Sequence, residues 1–168
     1  MTPEIQKWMQ YIARPFIQKP GKVLEVGALD INGTVRQFFA DADEYIGTDM
    51  EAGPNVDIVL DNKRLIHHFI GHRFDTIIAC EVLEHDVQFW NTLFALRTLL
   101  ADDGYLIITT PTFGFPLHRF PRDYWRFGED AYRDVFFADM NILDIQHLDN
   151  AAGKGISLVG LARNSPHP

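Results

Sequence analysis

Three carboxylates stand at the ends of short apolar runs: Glu25 in VLEVG, Asp49 in YIGTDM and Asp61 in DIVLDN. An ionised carboxylate only accepts hydrogen bonds, so it suits a ligand that offers hydroxyl or amino donors. Asp49 follows the Gly27 turn at about the 20-residue spacing that lets an acid bond both hydroxyls of a ribose. One strand later, Asp61 is placed to meet an adenine amino group. A single Asp at a strand end is more often a turn former than a ligand. Three acids in successive strands shift the balance toward a nucleoside site.

Two further stretches hold groups able to move protons. CEVLEH, residues 80–85, sets Glu81, Glu84 and His85 directly after an apolar run. PTFGFPLHRFPRDYWRF, residues 111–127, gathers His118, Arg119, Arg122, Asp123, Tyr124, Trp125 and Arg126. An imidazole, with an ordinary pKa of about 6.5, suits general-base work near neutral pH. His118 and His85 are the candidates, with Asp123 third. A bracing role for His85 and a stapling role for the Arg122–Asp123 pair are the structural alternatives. His67, His68 and His72 show no ligand spacing and are expected at the surface, and the chemistry requires no metal.

These groups need elements to bring them together. Thr2-Pro3-Glu4 reads as a helix start, and Ile5, Trp8, Met9 and Ile12 share one apolar stripe. Pro20-Gly21 turns the chain into a buried strand at 23–26, and residues 27–33 form a turn-prone loop. A short helix over 33–40 is expected to bury Val35, Phe38 and Phe39. Strands are expected at 45–48, 56–60 and 74–79. The helix predicted over 87–100 carries Trp90, Leu93, Phe94 and Arg97 at helical spacing, read as a core stripe. Asp102-Asp103-Gly104 is expected to turn the chain into a fifth strand at 105–109. A helix over 129–140 is expected to bury Val135, Phe136 and Phe137. Strands at 141–147 and 156–162 follow, joined by DNAAGKG as a hairpin turn, and the NSPHP tail is expected to fray. Strand–helix–strand alternation means parallel crossovers in an α/β sheet, where ligands bind at strand ends. Three prolines keep residues 111–127 out of regular helix and interior strand. A long loop at the ligand end is expected to be functional, so Arg122, Tyr124, Trp125 and Arg126 are expected on a substrate wall.

A chain of 168 residues suits one domain, 1–168. Within it, 1–21 is an N-terminal helix, 22–80 a cofactor-binding half and 81–168 a substrate-side half. The net charge of -8 argues against nucleic acid as a partner, because neutralising phosphates calls for basic residues. The lone Cys80 cannot form an internal disulfide, which fits a reducing compartment. No apolar run is long enough to span a bilayer and no leader is visible, so a cytoplasmic chain without membrane partners is expected.

In order, VLEVG, YIGTDM, DIVLDN, FDTIIACEVLEH and LLADDGYLIITTP resemble the class I S-adenosylmethionine-dependent methyltransferases over residues 22–162. CEVLEH and PRDYWRF together resemble a subgroup of small bacterial and phage methyltransferases, some linked to glycan modification. The resemblance implies a Rossmann-like three-layer sandwich with a seven-stranded, mostly parallel sheet of order 3-2-1-4-5-7-6. It implies S-adenosyl-L-methionine as cofactor, its ribose on Asp49 and Met50, its adenine at Asp61 and Asn62. The methionine end would lie near Glu25, Gly27, Asp30 and Gly33, and Glu81 and Val82 would line the transferring end.

One departure stands out. Leu29 and Ile31 occupy the positions of the second and third glycines of the common family loop, so the loop must take another path. The full G-x-G-x-x-G fingerprint of dinucleotide sites is absent, which argues against a dinucleotide. There is also no Asn/Asp-Pro-Pro-aromatic tetrapeptide after the fourth strand. In the wider family that motif marks transfer to amide or exocyclic nitrogen, so an oxygen acceptor on a small molecule or glycan is expected. The alternatives are a cofactor-binding module without turnover, or methylation of nucleic acid or protein. The oligomeric state stays open, a homodimer included.

Overall fold

The computed structural model describes residues 1–149 and 155–165. Seven strands form one sheet: β1 (Lys22–Val26), β2 (Glu44–Asp49), β3 (Ile58–Val59), β4 (Phe74–Cys80), β5 (Leu100–Pro111), β6 (Asn141–Asp149) and β7 (Gly155–Arg163). Their order is β3-β2-β1-β4-β5-β7-β6, as the resemblance implies. The first five strands pair in parallel, and β7 runs antiparallel between β5 and β6.

The strands alternate their side chains between two layers, the period-two signature of a sheet covered on both faces. Val23, Ile78 and Ile107 face one buried cluster, which α1 (Pro3–Trp8) fills with Ile5 and Trp8. Leu24, Ile77 and Leu106 face the other, against Leu93, Leu96 and Leu99 of α4 (Phe89–Leu99) and Phe136. Thr2 caps α1 by accepting from Ile5 N at 3.3 Å. The helix continues through a π-helical segment, Met9–Ala13, into α2 (Arg14–Phe16). Trp8 Nε1 donates to Asp144 Oδ2 at 2.7 Å, tying α1 to β6. The short α3 (Leu65–His68) and α5 (Glu129–Ala131) complete the cover.

Several expectations shift in detail. The helix expected over 33–40 is a 3-10 turn, Arg36–Phe39; Phe39 and the preceding Val35 are buried and Phe38 is half-buried. The third strand contracts to Ile58–Val59. The expected turn at 102–104 is a bulge inside β5: Phe74 pairs with Leu100 but Thr76 with Tyr105, and Asp103 takes a positive φ. On α4 the buried stripe is Thr92, Leu93, Leu96 and Leu99, while Trp90 and Phe94 are exposed. The core prefers the residues that fit closely against the sheet, and the larger aromatics point outward. The helix expected over 129–140 is α5 followed by a π-helical segment, Tyr132–Phe136; Phe136 and Phe137 are buried and Val135 is exposed. The expected hairpin turn falls largely on residues 150–154, outside the described residues. Among the described residues, no helix is long and apolar enough to cross a membrane.

Candidate functional site

In strand order the chain departs from β1 in one direction to β2 and in the other to β4. Ligands of open α/β sheets bind at such a switch point, beyond the C-terminal strand ends. A cavity of about 680 Å³ lies there, within the roughly 300–1,000 Å³ of small-ligand sites. Glu25 from β1, Gly27 after it, Asp49 from β2, Asp61 after β3, and Glu81 and Val82 after β4 all reach its wall. Gly33, Met50 and Asn62 also line it. Asp30 does not: its Oδ1 accepts from Gly33 N at 2.7 Å and shapes the loop instead.

The loop without its glycines is held by the next crossover. Gly27 N and Ala28 N donate to Thr48 O, Leu29 N to Asp49 Oδ2 at 3.2 Å, and Asp30 N to Pro54 O. Asp49 Oδ1 accepts from Glu51 N at 3.1 Å, so this carboxylate fixes the loop while each oxygen keeps acceptor capacity toward the cavity. The Leu29 side chain lies over Gly53, where a β-carbon would come within 2.3 Å of Leu29 Cδ1. Gly27 has φ +76, and a β-carbon there would meet Val82 Cγ2 at 2.3 Å. The turn therefore requires glycine on two counts, backbone conformation and space.

Glu25 is buried and accepts from Tyr45 Oη at 2.7 Å. Burial pushes its carboxyl up to about 7, against the hydrogen bond from Tyr45 and the charge of Arg36. Glu81 stands at positive φ after β4, and its Oε1 accepts from Thr109 Oγ1 at 3.2 Å. Burial likewise raises its carboxyl to about 7.

The far end of the cavity is built from residues 81–87 and from the proline-rich loop. Phe115, His118, Arg119, Phe120 and Tyr124 supply wall from the loop, facing His85. Glu84 lies beneath, with no exposed surface, and among the described residues neither carboxylate oxygen has a hydrogen-bond partner. His85 Nε2 and His118 Nε2 stand 3.5 and 3.7 Å from Glu84 Oε1. His85 Nδ1 meets the Arg122 carbonyl, and His118 Nδ1 lies 3.3 Å from Asp123 Oδ2. Burial and the neighbouring His85 lower the pKa of His118.

The loop residues named from the sequence divide. His118, His85 and Tyr124 come to the cavity. Trp125 does not: it packs edge-on against Phe89 and donates from Nε1 to Asp86 O at 2.9 Å. Arg126 spans the loop from inside, bonding both Asp123 oxygens and the Pro116 carbonyl. Arg122 contributes its carbonyl, and its side chain is not on the wall. The Asp123 side chain is buried away from the cavity, and the Arg126 bonds hold its carboxyl well below the usual range. Spacing cannot show which loop side chains turn inward, because an irregular loop has no period. Leu29, Cys80 and Phe115 also reach the wall, each from a stretch the sequence marks but by a side chain that spacing does not single out. His67, His68 and His72 are exposed.

No protein-family model matches the chain, and no curated protein matches it. Solved structures do resemble it. The 1,6-didemethyltoxoflavin-N1-methyltransferase of Burkholderia thailandensis, bound to its substrate and S-adenosylhomocysteine, has a TM-score of 0.75 at 18% identity, over 95% of this chain and 78% of that one. N-methyltransferase NodS from Bradyrhizobium japonicum WM9 has a TM-score of 0.71 at 12% identity, over 98% of both chains. An S-adenosylmethionine-dependent methyltransferase from Clostridium acetobutylicum has a TM-score of 0.67 at 12% identity, over 95% of this chain and 92% of that one. At these identities the likeness is one of fold, and the fold is the Rossmann-like sandwich of S-adenosylmethionine-dependent methyltransferases.

Proposed function

We propose that the protein is a methyltransferase that takes S-adenosyl-L-methionine into this cavity and methylates a small-molecule or glycan acceptor. The observation that carries the reading is the switch-point cavity with Glu25, Asp49 and Asp61, at or just past the ends of three neighbouring strands, on its wall. Asp49 would hold the ribose hydroxyls, and Asp61 and Asn62 the adenine edge. Glu25, Gly27 and Gly33 would hold the methionine end, where a buried carboxylate suits an ammonium group. Bound there, the cofactor would supply an electrophilic methyl, whose bond to sulfur would break as the acceptor's lone pair bonds to its carbon, with S-adenosylhomocysteine as leaving group.

The protein's own contribution is mainly alignment, which is worth up to about 7–11 kcal/mol when reacting atoms are held at attack distance. Phe115, Phe120 and Tyr124 make an aromatic wall for the acceptor. A hydroxyl acceptor must also lose a proton, and the His85–His118 end is where it leaves. The oxygen acceptor is inferred from the missing tetrapeptide; nitrogen is the competing atom, and product analysis distinguishes them.

Calorimetric titration with S-adenosylmethionine and S-adenosylhomocysteine tests the cofactor assignment. We expect micromolar binding, lost in Asp49→Ala. A folded protein that binds neither would remove the reading. Binding without methyl release to any of a panel of hydroxylated acceptors would leave a cofactor-binding module.

A further inference from the structure

Glu84, His85 and His118 form a cluster that simple hydrogen bonding does not explain. Each residue offers a ligand atom, and the three atoms lie within 4.8 Å of one another. The Nε2 atoms are 3.5 and 3.7 Å from Glu84 Oε1, too long to serve as direct hydrogen bonds. The edge of a tetrahedron drawn by ligands about 2.0–2.1 Å from a central ion is about 3.4 Å. The two carboxylate–imidazole separations thus suit groups facing a shared cation, and the three ligand atoms lie within 4.8 Å of one another.

Two independent features point the same way. Glu84 is a carboxylate with no exposed surface and, among the described residues, no hydrogen-bond partner for either oxygen. A buried carboxyl left without partners is costly unless a cation or a proton compensates it. The outer nitrogen of His85 is also provided for, and that of His118 faces a carboxylate without a hydrogen bond to it. His85 Nδ1 faces the Arg122 carbonyl, and His118 Nδ1 lies 3.3 Å from Asp123 Oδ2. Metal-bound histidines typically present one nitrogen to the ion while a carbonyl or carboxylate orients the other. Asp123 is itself held by Arg126 and accepts from His118 N at 2.7 Å, so this outer support is rigid.

We propose that Glu84, His85 and His118 bind a divalent transition-metal ion, with Zn²⁺ the best match to a two-histidine, one-carboxylate set. His85 and His118 both line the cavity, so three protein ligands leave an open coordination position toward it. An oxygen or nitrogen of the acceptor would take that position, where the ion, in place of a free His85 or His118, would ease loss of a hydroxyl proton. Cation binding does not depend on the methyl-transfer reading; the placing of an acceptor does rest on it.

The test is Zn²⁺ titration of chelator-treated protein by competition with a chromophoric chelator, with Co²⁺ substitution as a spectroscopic check. One equivalent should bind with micromolar affinity or tighter, and Co²⁺ should give the visible bands of a low-coordinate nitrogen–oxygen site. His118→Ala, Glu84→Gln and His85→Ala should each weaken binding by more than the roughly 10–100-fold typical of an outer-shell partner. The double variant His67→Ala, His68→Ala should bind as the parent does. Circular dichroism confirms that each variant is folded, and His118→Ala carries the test should Glu84→Gln fail to fold. Absence of binding, or binding that survives His118→Ala, would overturn the site. S-adenosylhomocysteine titrated into the same chelator-treated protein tests the cofactor reading by itself, so failure of one reading is distinguishable from failure of the other.

Discussion

At the residue scale, Glu25 has the environment with the clearest consequence. It is buried at the end of β1 with its carboxyl raised to about 7. Tyr45, Arg36, Asp30 and Asp49 face it from neighbouring segments, with Cys80 close on β4. A cofactor ammonium would favour the ionised carboxylate, so binding should release a proton wherever the free protein holds one. S-adenosylhomocysteine affinity should therefore rise with pH up to about 7, by at most about tenfold per unit, and level off above. Calorimetry at a series of pH values measures the profile. Glu25→Gln keeps an acceptor for Tyr45 Oη and should give a flatter one; an unchanged slope would assign the proton elsewhere. Stability has the opposite sense. The folded-state pKa lies above the ordinary 4.5, so the contribution of Glu25 to stability is present below about 4.5 and is lost as pH rises through about 7. The position of Glu25 at a strand end is legible in the sequence. Its bond to Tyr45 is not, because it joins side chains of two strands whose register no local pattern fixes.

At the element scale, α4 and the Gly27 turn show what periodicity reads and what it misses. Helical spacing located α4 and its buried Leu93 but placed Trp90 and Phe94 in the core beside it, because both outweigh Thr92 and Leu96 in any measure of apolar bulk. Which stripe packs depends on the space above β4 and β5, a tertiary fact. Leu96→Ala should cost about 2–5 kcal/mol, as for a filled core site. Phe94→Ala, at 65% exposure, should stay within about 0.5 kcal/mol. Urea denaturation of the two variants checks the phase of the helix, and a larger loss at Phe94 would reverse it. The loop after β1 was readable as a turn but not in its path. Leu29 finds its place only because Gly53, remote in sequence, leaves room above the crossover. Gly27→Ala should cost at least about 1 kcal/mol, since it forces a β-carbon into positive φ and against Val82. It should also weaken S-adenosylhomocysteine binding, and retained affinity in that variant would separate the turn from the site.

At the scale of the whole molecule, the cavity joins segments that are far apart in the chain. Met1 and Thr2, the β1 loop, the ends of β2 and β4, and the proline-rich loop all reach it. A ligand seated there contacts both layers of helices through the strand ends, so its binding energy should appear as stability of the entire fold. At a concentration of about 100 times its dissociation constant, a ligand specific for the native state adds about 2.7 kcal/mol. For a chain of 168 residues, each 1 kcal/mol moves Tm by about 2–4 °C. S-adenosylhomocysteine should therefore raise Tm by about 5–10 °C in differential scanning calorimetry, as one cooperative transition. Asp49→Ala should remove the shift while leaving the ligand-free transition single. A ligand-induced split into two transitions would mean that the segments lining the cavity unfold separately. The cation site uses none of the strand-end acids but shares the cavity through His85 and His118, so coupling between Zn²⁺ and S-adenosylhomocysteine should stay within the roughly 0.5–3 kcal/mol of neighbouring groups when both are present. A shortfall well beyond that would mean that the two ligands compete for one volume, and a surplus that each completes the site for the other.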